Sequence, residues 1–186
     1  MEGSLAGKLL IAMPQMGDPR FDHAVILMCL HNEDQAMGLV LNKPNGALRL
    51  GDVLKHLEFS PPREATERAV LFGGPVKTDR GYVLHSQDFA VPQATQDVSP
   101  GIALTASREV LEAISSPNPP HNYVFALGYA GWGPGQLEGE LAQNAWLIAE
   151  PDDAIVFDED FDNKWARAIS QLGIHPSQIM GDAGRA

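Results

Sequence analysis

The sequence contains one cysteine, Cys29, and few positive charges. A single cysteine excludes an internal disulfide framework. Thirteen Lys and Arg stand against 24 Asp and Glu, a net charge of −11 at pH 7, and the cations are scattered rather than gathered into a basic stripe. Because a chain this negative is repelled by the phosphate backbone, direct nucleic-acid binding is not expected.

Long hydrophobic runs are also missing. No stretch approaches the about 20 apolar residues that span a bilayer, and the N-terminal segment lacks the basic start of a signal peptide. We therefore expect a cytoplasmic protein without membrane contact. The 186 residues, 44% of them hydrophobic, suffice for one domain with a substantial core. We predict a single domain over residues 1–186, in which residues 175–186 form a loosely held tail.

Familiar catalytic and metal-binding motifs are absent as well. The chain has no Gly-x-Ser-x-Gly and no His-Glu-x-x-His sequence. Asp158, Asp160 and Asp162 imitate the start of an EF-hand loop, but Asn163 stands where that loop needs Gly, and Ile169 where it needs Glu. We interpret these carboxylates as charges near the start of a helix, where the helix dipole favours anions.

Cys29 and His31 offer a weak alternative. They lie two apart on a predicted strand, so their side chains share a face, and His85 ends another strand. Three such ligands are able to bind zinc or activate a thiol. However, a cysteine within an apolar run is usually a core residue, and a lone Cys-x-His lacks the spacing of zinc sites. We therefore predict no metal site and no cofactor.

The apolar pattern that is present predicts strands and helices in irregular order. Short apolar runs predict strands at 8–13, 25–31, 37–42, 69–72, 81–86, 102–106 and 123–130. Helical spacing predicts helices at 50–57, 107–116, after Gly135, and at 161–172. Residues 146–149 either extend the third helix or form a strand, and we favour a strand. Residues 87–100 are polar and predicted to be a long surface loop. Paired strands with interspersed helices indicate an α+β fold with a mixed or mainly antiparallel sheet.

Several motifs in fixed order resemble the AlgH/YqgE family of bacterial proteins. The matching stretches are Gly7 to Pro14, Asp18 to Phe21, Val25 to His31, Gly38 to Pro44, Gly73 to Val76, Tyr82 to Ser86 and Gly128 to Glu138, with Trp146 and Trp165. The resemblance covers nearly the whole chain. It implies a compact α+β domain in which helices pack around a mixed, mainly antiparallel sheet with barrel-like curvature. One branch of the family carries the label of a transcriptional regulator of alginate biosynthesis, and the family offers no accepted catalytic residues.

Glycine-rich turns are the first candidate binding features. The turn from Gly131 to Gln136 joins a predicted strand to a predicted helix, and free amides at a helix start are able to bind a phosphate or carboxylate. The turn matches neither the P-loop nor the dinucleotide fingerprint. The alternative is a tight turn that lets Trp132 pack closely. Gly73 and Gly74 begin a second sharp turn, with the same two interpretations.

Polar residues in or beside the apolar strands and turns complete the candidate site. The residues predicted to bind a ligand are His31, Asn42, Gly74, Arg80, His85, Trp132, Gly133, Gly135 and Gln136. No residue is assigned a catalytic role.

Two hypotheses of function follow. The first is a non-catalytic cytoplasmic module, favoured as a monomer, that binds a small ligand or a protein partner and affects transcription indirectly. The second is an enzyme of unknown reaction whose site lies between the ends of the His31 and His85 strands and the Trp132 turn. A concave pocket lined by these residues favours a ligand or an enzyme, whereas a filled core beside a flat apolar patch favours a protein partner.

Overall fold

The computed structural model of the protein describes residues 3–180, which form ten strands and seven α-helices. The strands are β1 (Leu9–Ala12), β2 (Val25–His31), β3 (Ala36–Val40), β4 (Pro44–Arg49), β5 (Ala69–Phe72), β6 (Val76–His85), β7 (Thr95–Ser99), β8 (Ile102–Thr105), β9 (Tyr123–Trp132) and β10 (Trp146–Ala149). The helices are α1 (Leu50–His56), α2 (Arg63–Thr66), α3 (Arg108–Ile114), α4 (Gln136–Ala142), α5 (Asp153–Phe157), α6 (Phe161–Ser170) and α7 (Pro176–Met180).

Most of the predicted strands and helices are confirmed, including the strand at 146–149. The predicted loop over 87–100 is wrong in its second half, because Thr95–Ser99 forms β7. β6 begins at Val76, five residues before the predicted strand. β4, α2 and α5 were not predicted. The missed strands are polar edge strands, in which exposed side chains leave no apolar alternation to detect.

The long strand β9 is the centre of the sheet. It pairs with β6 along most of its length, with β5 in its middle and with β3 at its end. The continuous strand order is β10-β1-β2-β3-β9-β6-β8-β7, and β4 joins through β5. The β5–β9 pair is parallel and the other pairs are antiparallel. A mixed, mainly antiparallel sheet is therefore confirmed.

The sheet curls until its β7 edge meets β2. Gln96 on β7 donates a hydrogen bond from Nε2 to the Cys29 carbonyl at 2.7 Å. Gly7, just before β1, packs so closely against β7 that a Cβ there would lie 2.6 Å from the Val98 carbonyl oxygen. These contacts give the sheet the shape of a half-barrel, so the expected barrel-like curvature is confirmed.

Three apolar clusters fill the part of the domain that residues 3–180 form. The first lies inside the curl and is covered by α5 and α6; Trp165 of α6 donates its indole N–H to the Ala12 carbonyl at 2.8 Å. The second packs α4 against β1, β2 and β9, and the third packs α1 and α3 against the opposite face of β6 and β9. Helices and the curl therefore cover large parts of both faces of the sheet.

The predicted tail at residues 175–186 is partly helical. α7 occupies Pro176–Met180, and Ile179 packs against the cluster inside the curl. Residues 181–186 of that prediction lie outside the described residues. Between residues 3 and 180, no helix is both long enough and apolar enough to cross a bilayer.

Candidate functional site

A wide bulge interrupts β6 where it faces the end of β9. Val76 pairs with Tyr129 and Gly81 with Leu127, so four residues of β6, residues 77–80, lie opposite the single residue Gly128. Bulges of this kind bend a strand and change the direction of its side chains. Here the bulge turns residues 77–80 toward solvent.

Two glycines let the bulge approach its neighbours. Gly128 has φ +77°, and a Cβ there would overlap the Gly74 carbonyl oxygen. Gly74 has φ +154°, and a Cβ there would overlap backbone atoms of Tyr129 and Ala130. Both positions combine a backbone conformation that favours glycine with a backbone crossing that leaves no room for a side chain. The sharp turn at Gly74 thus fixes the start of the bulge.

The bulge borders a cavity of about 470 Å³, which we call the cationic cleft. Its principal side chains are Lys77, Arg80, Tyr82, Gln96, Tyr129 and Trp132, with Leu30, Met37 and Leu104 beneath them. The cleft therefore combines two cations, two phenols and an apolar base.

Within the described residues, neither Lys77 nor Arg80 lies within salt-bridge distance of a carboxylate. The Arg80 guanidinium carbon lies 5.6 Å from the centre of the Tyr82 ring, and the Tyr82 and Tyr129 rings meet edge to face at 5.9 Å. Burial raises the pKa of Tyr82, which the positive charge of Arg80 only partly offsets. The phenol therefore stays protonated at neutral pH and is able to donate a hydrogen bond.

Two of the predicted ligand-binding residues, Arg80 and Trp132, line the cationic cleft. Trp132 is buried, and its indole N–H donates to Glu140 Oε2 at 2.9 Å. Trp146 donates to the same oxygen at 2.8 Å. One carboxylate on α4 therefore holds both indoles, and Trp132 forms a fixed wall of the cleft.

Of the other residues in the glycine-rich turn, Gly131 also lines the cleft, whereas Gly133, Gly135 and Gln136 do not. The Gly133 amide donates to Gln136 Oε1 at 3.1 Å. The amide hydrogen is therefore already bonded to a side chain of the same turn. Gly135 has φ +71° and allows the chain to enter α4. Anion binding by this turn stays a prediction, and the structure gives the turn a folding role.

His31 lies beside a different cavity, with Glu138 of α4. Its Nδ1 accepts the Leu5 amide hydrogen at 2.9 Å, so Nε2 carries the proton and donates to Glu138 Oε1 at 2.7 Å. This hydrogen bond from His31 lowers the pKa of Glu138. Both ring nitrogens are therefore engaged, and neither is free to remove a proton from a substrate.

His85 is fully buried inside a chain of polar contacts. Its Nδ1 lies 2.8 Å from the Ser86 carbonyl, which only accepts, so Nδ1 carries the proton and Nε2 accepts from the Thr105 hydroxyl at 2.8 Å. His85 pairs with Tyr123 at the start of β9, whereas Trp132 is at its end. Nine residue steps of strand separate them by roughly 30 Å, so the structure does not bring His85 to the Trp132 turn.

Asn42 and Cys29 also contribute to the fold, and neither lines the cationic cleft. The Asn42 side chain accepts the Val25 amide hydrogen at 2.9 Å and donates to the His23 carbonyl at 2.8 Å, which fixes the start of β2. Cys29 is buried, and burial raises its pKa to about 12. The interpretation of Cys29 as a core residue is confirmed. Across residues 3–180, no three His, Cys, Asp or Glu side chains are grouped to hold a metal ion.

Sequence reasoning missed Lys77, Tyr82, Gln96 and Tyr129. The apolar pattern of the sequence places Tyr82 and Tyr129 in predicted strands, and the polar stretch 87–100 places Gln96 in a predicted loop. Lys77 adopts φ +47°, a left-handed conformation uncommon outside glycine. The sequence carries no periodic pattern for a bulge, so only the strand register reveals these residues as neighbours.

A second cavity of about 540 Å³ lies on the opposite face of β6, between α1 and α3, and we call it the apolar pocket. Its floor and walls are mostly aliphatic and aromatic: Leu48, Val53, Leu57, Val83, Val110, Leu111, Phe125 and Leu127. Gly81 opens the floor, since a Cβ there would lie 2.8 Å from the Phe125 ring. Asp52, Asp79 and Arg108 are among its polar lining residues.

Comparison with known proteins shows close relatives over the whole chain. The model of the AlgH-like family (DUF179) matches residues 9–177. A UPF0301 protein of Caulobacter vibrioides is 47% identical over 183 residues, which cover 98% of this chain and 94% of the relative. A UPF0301 protein of Ruegeria pomeroyi is 48% identical, with 98% of this chain and 99% of the relative covered.

Solved structures give the same result for the fold. The solution structure of the AlgH protein from Pseudomonas aeruginosa matches with a TM-score of 0.80 and 41% identity, covering 100% of this chain and 98% of that one. A crystal structure of a Corynebacterium diphtheriae protein matches with a TM-score of 0.74 at 19% identity, covering 92% and 88%. At that identity the second match shows a shared fold alone.

Proposed function

The chain belongs to the AlgH-like family, and we propose that it is a non-catalytic regulatory module that binds a small anion in the cationic cleft. One observation carries the proposal: Lys77 and Arg80 point into a concave site with no carboxylate within salt-bridge distance among the described residues. A chain with a net charge of −11 repels anions at long range. A local pair of cations is the arrangement that such a chain needs in order to bind one.

The lining of the cleft indicates the kind of anion. Arg80 offers a planar group of N–H donors that suits a phosphate or a carboxylate. The protonated Tyr82 hydroxyl is able to donate a further hydrogen bond to an anion, and Leu30, Met37 and Leu104 form an apolar base. The favoured ligand is therefore a phosphate- or carboxylate-bearing small molecule with an apolar or aromatic body.

A binding role suits the other polar residues better than a catalytic one. His31 has both ring nitrogens engaged, His85 is fully buried, and the Cys29 thiol stays protonated at neutral pH. Among the described residues that line the cleft there is no histidine, cysteine or carboxylate to act as a nucleophile or general base. The regulatory label within the family and the negative charge together favour an indirect effect on transcription, exerted in the cytoplasm through ligand-dependent contacts.

The test is a thermal-shift screen with inorganic phosphate, nucleotides, sugar phosphates, carboxylates and alkyl phosphates, each beside its uncharged counterpart. A ligand at a hundred times its Kd stabilises the protein by about 2.7 kcal/mol. We expect hits among the anions only. Calorimetry should then show that Arg80→Gln weakens binding by about tenfold or more, the usual loss of a charge-assisted hydrogen bond.

Lys55→Gln is the matched control, because Lys55 is an exposed cation on α1 outside the cleft. It should leave the affinity unchanged. A hit that is equally tight in Arg80→Gln, or no anion binding anywhere in the screen, would show that the cleft is not the site. Binding of promoter DNA at physiological salt would contradict the indirect mode of action.

A further inference from the structure

The cationic cleft and the apolar pocket meet around a free strand edge. β6 pairs with β8 only over Val83–His85, so within the described residues its segment before Val83 has no partner on that side. Alternation along the strand places Arg80 and Tyr82 in the cleft and Gly81 and Val83 in the pocket. The two cavities are thus opposite faces of one short, uncovered stretch of strand.

Ala106 is the residue that both cavities share. It follows the last residue of β8, it lines the cationic cleft and the apolar pocket alike, and it is exposed. The methyl side chain of Ala106 takes up little space where the two cavities adjoin. A larger side chain there would separate the cavities.

The charges of the two cavities differ in sign. The described residues that line the cleft include the cations Lys77 and Arg80 but no carboxylate. The pocket is lined by the carboxylates of Asp52 and Asp79, and Arg108, which also lines it, already has partners within the fold. Arg108 donates from Nη2 to the Leu57 carbonyl at 3.1 Å and stacks on Phe59 at 4.4 Å. An anionic group of a ligand is therefore favoured in the cleft, while an apolar group is favoured in the pocket.

We propose that the ligand is an amphipathic anion whose headgroup binds Lys77 and Arg80 and whose alkyl chain passes Ala106 into the apolar pocket. This inference rests on the proposed function for the headgroup and adds the chemical class of the tail. Acyl carboxylates and alkyl phosphates share this chemistry. The pocket, at about 540 Å³, has the size of cavities that enclose small organic ligands.

A series of alkyl phosphates tests the proposal. Calorimetry with ethyl, butyl, hexyl and octyl phosphate should show affinity rising about fourfold for each added methylene, the value for burying that group, until the pocket is full. The corresponding alcohols lack the headgroup and should bind at least about tenfold more weakly. Alkyl carboxylates of equal length then show which headgroup is preferred.

Ala106→Trp is the decisive variant. Ala106 is exposed, so the change leaves the fold intact, as circular dichroism should verify. The variant should lose the dependence of affinity on chain length, so that octyl phosphate binds it no more tightly than ethyl phosphate does. Val53→Asp, inside the pocket, should have the same effect, and Arg80→Gln should weaken every member of the series by a similar factor.

The outcomes separate the two proposals. Phosphate binding that depends on Arg80 but not on chain length would overturn the amphipathic ligand and leave the anion site intact. Chain-length dependence that survives Ala106→Trp would overturn the passage at Ala106. Binding of the alcohols as tightly as the phosphates would overturn the anion site itself.

Discussion

The two faces of β6 carry opposite chemistry on adjacent residues. One face presents Arg80 and Tyr82 to the cationic cleft, and the other presents Gly81 and Val83 to the apolar pocket. The polar face presents cations that form no salt bridge among the described residues, whereas the apolar face is continuous with the cluster under α1 and α3. A single strand therefore separates side chains free for binding from side chains that stabilise the fold, and substitutions on the two faces should have different consequences.

The largest effect on stability should come from disrupting the bulge, which is the feature that both faces of β6 share. Gly74→Ala places a methyl group on the backbone of Tyr129 and Ala130 at an unfavourable φ. We expect a loss of about 4 kcal/mol or more in the free energy of unfolding, measured by urea denaturation. Gly139→Ala is the matched control. Its Cβ would meet nothing within 4 Å, in a helix where alanine is favoured by about 0.5–1 kcal/mol. Equal stability of the two variants would contradict the close approach of Gly74 to the backbone of Tyr129 and Ala130.

The next largest effect should fall on the apolar face. Phe125 is buried in the floor of the pocket and supports the α1 and α3 cluster. Phe125→Ala should lower the free energy of unfolding by about 3–5 kcal/mol, because it removes buried area and leaves a cavity. Arg80→Gln, an exposed change on the other face, should alter it by no more than about 0.5 kcal/mol. If denaturation curves gave similar losses in the free energy of unfolding for the two variants, the two faces of β6 would not differ in their contribution to stability.

The smallest effect should appear in the ionisation of Tyr82. Burial raises its pKa above the ordinary value of 10.0, and the charge of Arg80 lowers it. Because the folded-state pKa is the higher one, the contribution of Tyr82 to stability is present below pH 10 and is lost as pH rises through the folded pKa. Arg80→Gln should therefore move one phenolate absorbance transition to higher pH in a spectrophotometric titration. Lys55→Gln should not, and Tyr82→Phe should delete that transition.

How much of this architecture the sequence predicts depends on which side chains are buried. The strands at 25–31, 102–106 and 123–130 are covered on both faces, and their continuous apolar runs identify them. β7 (Thr95–Ser99) is polar and exposed at the edge of the sheet, so its pairing with β8 leaves no trace in the hydrophobic pattern. The curl is a contact between β2 and β7, far apart in sequence, and it was expected from family resemblance alone.

The candidate site was predicted only in part, for a related reason. Arg80 and Trp132 were selected as polar or turn residues, and both line the cleft. His85 was selected on the same grounds, but the register pairs it with Tyr123, at the far end of β9 from Trp132. Which strand ends are neighbours depends on pairing between distant segments, and one sequence does not specify that pairing. Lys77 was missed because a bulge is defined by two strands together.

The shared carboxylate of Glu140 gives the cleft a built-in optical reporter. The indoles of Trp132 and Trp146 lie edge to face with ring centres 6.1 Å apart, and both donate to the same Glu140 oxygen. Two chromophores this close couple electronically, so their near-ultraviolet circular dichroism depends on their mutual angle. Trp132 lines the cleft, whereas the third indole, Trp165, lies in the cluster inside the curl. A ligand that moves the Trp132 indole should therefore change the near-ultraviolet circular dichroism of the protein, without any attached label.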